Sequence, residues 1–137
     1  VLLKQHNTDY LSTDSLNWHP RLGIHSANVA PEFGLTETKA LLNILEMRGL
    51  KNLSESILEL AYSSKKWKKW ITPGSTITDR NKAIICCHYI FSNESFIQLK
   101  AEATINIKKQ GINLEKYLKD AVKKNIIRYM NSFRLIR

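Results

Sequence analysis

Only two stretches of this sequence have the character of β-strands, and both fall within its first 24 residues. They are Val1-Leu2-Leu3-Lys4-Gln5 and Leu22-Gly23-Ile24. Each runs straight into polar, titratable residues: His6-Asn7-Thr8-Asp9-Tyr10 after the first, and His25, Ser26 and Asn28 after the second. Between them Ser12 is placed to cap a short helix through Leu16 and Trp18, taking up a free backbone N–H. His19-Pro20 should stop that helix, because a proline ring disfavours the α conformation in the residue before it. After the second strand, the loop from Val29 to Gly34 leads to Thr36 as N-cap of a helix through Leu41, Leu42, Ile44 and Leu45, closed by Gly49. The order strand, helix, strand, helix is that of a parallel α/β sheet. Two parallel strands leave edges and apolar faces that water does not satisfy. The sheet is therefore expected to be completed from outside, by a second copy or, more simply, by the rest of a longer protein. The start inside a strand, without methionine, favours the longer protein.

From residue 53 onward the pattern is helical. Ser54 reads as an N-cap, with Leu53 stapled onto Leu58. Thr72-Pro73-Gly74-Ser75 reads as a turn, and Thr78-Asp79 opens a helix whose body, Ala83 to Phe91, is apolar nearly all round. Ser92 restarts a helix bearing Phe96, Ile97, Leu99 and Ala103. The last helix carries Leu114, Tyr117, Leu118, Ala121, Val122, Ile126, Tyr129, Met130 and Phe133 on one stripe, opposite Lys116, Lys119, Lys123 and Lys124.

The 137 residues fit one domain, and no apolar run approaches the roughly 18 residues that span a bilayer. With no secretory signal and only two adjacent cysteines, Cys86 and Cys87, the expectation is a cytoplasmic protein without membrane contact. The net charge of +9 raises nucleic acid as a partner. Residues 1–62 carry five Lys/Arg against seven Asp/Glu, and residues 63–137 carry sixteen against five, so the excess sits wholly in the second half. Lys, Ile and Asn, at 15, 15 and 11, together make 41 of 137 residues, the mark of an AT-rich coding sequence that fills exposed positions with lysine. A solvated basic face therefore outweighs a nucleic-acid footprint.

His6-Asn7-Thr8-Asp9-Tyr10, followed by a helix and a second strand, resembles the H-S-T-D-Y motif at the end of the seventh strand in the accessory (Z-type) subunit family of D-tagatose-1,6-bisphosphate aldolase. Asn7 stands where that family has serine. Further along, Trp67-Lys68-Lys69-Trp70, Thr78-Asp79-Arg80 leading to His88-Tyr89, and Ile127-Arg128-Tyr129 resemble the family's basic-aromatic patch and its Arg/Tyr-rich helices. The loop His25 to Phe33 departs from the family's K-x-G-P-A-x-T-F segment, keeping a basic residue in kind at His25 and an aromatic one at Phe33. The resemblance implies an α/β fold: the C-terminal β-α-β-α portion of a (β/α)8 TIM barrel in residues 1–50, with a helical extension in 51–137 packed on it. It implies an accessory subunit that stabilises a class II, zinc-dependent aldolase acting on a ketose bisphosphate, the zinc lying in the catalytic partner subunit.

In such a barrel, reactive groups sit where strands end. His6 and Asp9 after the first strand, and His25, Asn28 and Glu32 after the second, would then open onto one mouth. His6, Asp9, His25 and Glu32 are the candidate acid–base groups, because a titratable histidine beside a carboxylate suits proton transfer at a sugar carbon. His6, Asp9 and His25 also suit a divalent metal such as zinc that would polarise a ketose carbonyl. Tyr10, Asn28, Gly34 and Thr36 are the candidate substrate contacts, the last two because a helix beginning at Thr36 would present free N–H groups to a sugar phosphate.

Each feature has a plainer reading. His6 and Asp9 could cap the following helix, His25 could be a satisfied strand-end histidine, and Glu32 could be a solvated loop carboxylate. His19, His88, Cys86 and Cys87 read as structural. The run Lys65 to Trp70 has the basic-aromatic interleaving of a single-strand binder, but reads first as a helix end with indoles inward. Three functions follow: the aldolase accessory subunit, a stand-alone metal-assisted C4 epimerase of ketohexose phosphates, and a basic helical nucleic-acid-binding module.

Overall fold

Leu3–Gln5 (β1) and Ile24–Ala27 (β2) pair in parallel, Leu3 opposite Ile24, Lys4 opposite Ser26 and Gln5 opposite Ala27. The step between Leu3 and Lys4 is irregular and leaves His25 as the extra residue of β2. The chain, described over residues 1–136 in a computed structural model, is a mixed α/β fold, mostly helical, with only these two strands among the described residues. Thr13–Arg21 (α1) joins them, Pro31–Met47 (α2) follows β2, and Lys51–Ser63 (α3), Asp79–Cys86 (α4), Glu94–Lys109 (α5) and Leu114–Ser132 (α6) complete the chain. Short 3-10 turns occupy Lys66–Lys69 and Cys87–Ile90. No helix of the described residues is long and apolar enough to cross a membrane.

The caps at Ser12 and Thr78 form as the sequence predicts: each side-chain oxygen accepts from a backbone N–H three residues on, that of Ser15 and Asn81. Several boundaries differ. Pro20 lies inside α1, which runs one residue further to Arg21, because a missing N–H near the last turn removes only one helical hydrogen bond. Strand β2 starts at Ile24, since Gly23 sits at φ +69 and turns the chain out of the helix first. Ser54 is not a cap: α3 begins at Lys51, and the buried Ser54 hydroxyl donates to Glu46 Oε1 at 2.8 Å.

One apolar cluster runs from Leu41 to Leu118 and draws on α2, α3, α4, α5 and the first half of α6. Leu45, Ile57, Phe96 and Ile107 are at or below 2 % exposure there. Cys86 and Cys87 are both free and buried in it, and burial pushes the Cys87 thiol up to about 12. Residues 1–39 contribute nothing to that buried cluster. The strands are mostly exposed, and Val1, Leu2, Leu3 and Leu22 all face water.

Candidate functional site

Four donors converge on the Glu32 carboxylate in the first turn of α2. Oε2 accepts from the backbone N–H of Tyr10 at 2.6 Å and from the Tyr129 hydroxyl. Oε1 accepts from Arg128 Nη2 at 2.7 Å and Asn125 Nδ2 at 3.2 Å. Arg128 also donates to Leu11 O at 3.0 Å and to Asn125 Oδ1 at 3.0 Å. Burial raises the Glu32 pKa, but the Tyr129 hydroxyl, the Tyr10 N–H, Asn125 and Arg128 outweigh it and hold the group below the ordinary glutamate value. Tyr129 is raised in turn, by burial and by its bond to that carboxylate. The pair is therefore an ionised glutamate with its lone pairs taken and a phenol that keeps its proton.

Asp9 explains where α2 begins. Its Oδ1 accepts from the N–H of Ala30 at 3.0 Å and of Glu32 at 2.9 Å, while Pro31 between them has no N–H to satisfy. A carboxylate over 20 residues away in sequence thus does the work of the N-cap, and Ala30 itself makes no side-chain cap bond. The expected start at Thr36 is therefore corrected to Pro31, and neither Gly34 nor Thr36 offers a free helix end to a phosphate. Thr36 Oγ1 donates to Glu32 O and accepts from Asn125 Nδ2, each at 2.9 Å. Gly34 is needed for another reason: a Cβ there would lie 2.6 Å from Cβ of His88.

The strand tips do come together in part. Asn28 N donates to Gln5 O at 3.1 Å, Thr8 N to Asn28 O at 2.9 Å, and the Asn28 amide meets His6 Nδ1 at 3.3 Å on the exposed rim. His25 does not join them. Its Nδ1 accepts from Leu3 N at 3.2 Å, back at the start of β1. Leu3 precedes His6 by three strand positions, about 10 Å at the usual rise. His25 lines a different cavity with His19, Pro20, Ile24, Ser26, Ala27, Phe133 and Leu135. The expected metal set of His6, Asp9 and His25 is thereby overturned: among the described residues no three His, Cys, Asp or Glu side chains stand close enough to hold a metal ion. The cause is the bulge in β2, which sets His25 one step before the rim.

Asn125, Arg128 and Tyr129 were absent from the candidate residues, although the last two stand in a segment singled out by the family resemblance. The place of Tyr129 on the apolar stripe says only that the last helix packs. Arg128 and Asn125 flank Tyr129 off that stripe, and the partner they share, Glu32, is 97 positions from Tyr129 in sequence. His19 is 6 % exposed, with its ring 5.2 Å from that of Phe133. The basic-aromatic run divides: Trp67 stacks on Tyr62 and donates to its carbonyl at 3.0 Å, whereas Trp70 is 55 % exposed.

The chain matches no protein-family model, no curated protein and no solved structure.

Proposed function

We propose that the chain is the C-terminal β-α-β-α part and helical extension of a (β/α)8 barrel, a cytoplasmic protein of carbohydrate metabolism that serves as the accessory subunit of a class II tagatose-bisphosphate aldolase. The resemblance at His6 to Tyr10 is what supports this reading. One observation carries the choice of accessory subunit over stand-alone epimerase: the carboxylates at the strand tips are engaged in structure. Asp9 holds the start of α2 through Oδ1 and Glu32 has four donors on it, so both carboxylates are committed to structure and Glu32 has no free basic lone pair for proton transfer. The uncovered strand pair is consistent with a sheet that neighbouring strands complete.

The test is a mixing experiment. Added to the catalytic chain of a class II tagatose-bisphosphate aldolase, the protein should lengthen that chain's active half-life and raise its rate, with no turnover of its own. Turnover of a ketohexose phosphate by the protein alone, abolished in His6→Ala, would instead establish the epimerase. Neither effect rejects both readings.

A further inference from the structure

Tyr10, Pro31, Leu35, Trp70, Ile85 and His88 enclose a cavity of about 330 Å³ beside the strand-tip loop. That size is at the lower end of small-molecule sites, and its walls are mainly apolar with few polar groups, as in such sites. Three features set it apart from a packing gap. Trp70 presents its indole half-exposed, backed by Tyr89, whose ring lies 6.3 Å away and within 7° of parallel. Tyr10 reaches the cavity from a backbone at φ 65, a conformation that non-glycine residues adopt at a cost, and its N–H is pinned there by Glu32. His88 has its Nδ1 buried without a partner, which leaves Nε2 as the ring nitrogen able to meet a ligand. Burial lowers its pKa, so the ring offers a neutral donor or acceptor.

Among the described residues no charged side chain lines the cavity, yet Lys68 and Lys69 are exposed in the turn that ends at Trp70, and Lys66 Nζ donates to Tyr89 O at 2.8 Å beside it. An apolar aromatic wall with two neutral polar groups suits the face of a sugar, whose C–H bonds pack on an indole while its hydroxyls find partners. The lysines outside suit a phosphate. We infer that this cavity binds the sugar of a hexose phosphate, stacked on Trp70 and hydrogen-bonded by Tyr10 and His88, with the phosphate among the lysines. The choice of a ketohexose phosphate as probe rests on the proposed function; the site itself rests on this geometry.

Titration calorimetry on the protein with fructose 6-phosphate, adenosine 5′-monophosphate and inorganic phosphate tests it. Fructose 6-phosphate should bind, about tenfold more weakly in Trp70→Ala, with most of the affinity kept in Trp70→Phe. Trp18→Ala removes another indole of 55 % exposure and should change nothing. Equal affinity in Trp70→Ala and the parent, no binding of fructose 6-phosphate, or binding of the nucleotide alone would each overturn the assignment. Aldolase activation scored on the same variants separates the two readings. Activation that survives in a protein unable to bind the sugar phosphate sinks only the site; sugar phosphate binding lost with Trp70, in a protein that activates nothing, sinks only the function.

Discussion

The helical body and the strand layer are held together by different physics. The body, from Leu41 to Leu118, closes around a continuous apolar cluster in which whole side chains leave water. The strand layer buries little: Leu16, Thr8 and His19 are its only buried residues before α2, and the strands stand largely in solvent. What ties it down is polar. Asp9, Glu32, Asn125, Arg128 and Tyr129 form a latch between the tip of β1, the start of α2 and the second half of α6. Apolar burial is non-directional and contributes stability in bulk. A hydrogen-bonded carboxylate contributes a defined geometry, and is costly chiefly when one partner is removed. The body should therefore behave as the stable unit and the strand layer as a docked one.

Two truncations put that contrast to the test. Phe96→Ala empties a site at 2 % exposure in the body and should lower global stability by about 4 kcal/mol. Urea unfolding should show it, with faster amide exchange throughout α2 to α6. Glu32→Ala removes the acceptor that Arg128, Asn125 and Tyr129 share and leaves the Arg128 charge without its carboxylate, and should cost about 3 kcal/mol. Its signature is local: exchange should accelerate in β1, α1 and β2 while α3 and α5 keep their protection. Uniform acceleration in Glu32→Ala would show that the chain unfolds as one unit and would dissolve the distinction.

The same latch sets an acid dependence. The folded pKa of Glu32 is lowered below its ordinary 4.5. A carboxylate of this kind contributes stability that is complete above the unfolded value and is lost as the pH falls through the folded one. The parent protein should therefore lose stability below about pH 4.5 more steeply than Glu32→Gln, in thermal melts taken from pH 6 to pH 3. Parallel curves would mean that the latch does not depend on the charge.

Within the body, Gly34→Ala would press a methyl group against His88, whose Cβ is 2.6 Å from the position it would take. The shift needed to relieve this should cost about 2 kcal/mol, and calorimetric melting would report it. The effect belongs to the interface between α2 and the Cys87–Ile90 turn, so it should appear in the body's own transition.

Local signals in the sequence announced local structure in part: Thr36 and Ser54 do not cap, but two other caps form. Ser12 and Thr78 cap because the bond they make spans three residues, and the last helix formed because its apolar period lies within one segment. The candidate site was legible only as far as the tip loop, where Asp9, Tyr10, Asn28 and Glu32 do gather. It failed where a partner is distant in the chain or a register slips. Asp9 replaces Thr36 at the head of α2, a bulge in two short strands moves His25 off the rim, and α6 supplies three of the groups on Glu32. A helix stripe marks which residues turn inward, but not which carboxylate they meet.

The two caps that were read correctly also give the finest test of the contrast. Ser12 and Thr78 have nearly the same backbone, φ −64 with ψ 157 and 153, and accept comparable bonds of 3.1 and 3.2 Å. Replacing either with alanine removes the same cap bond, worth about 1 kcal/mol, and in Ser12 also a bond from its hydroxyl to that of Ser15. If the regions are one cooperative unit, both substitutions lower the global midpoint alike. If the strand layer is docked through its latch, only Thr78→Ala, which acts on a helix of the apolar body, shifts that midpoint. Ser12→Ala would then be felt only in the exchange of α1, because the layer it weakens already opens below the free energy of global unfolding.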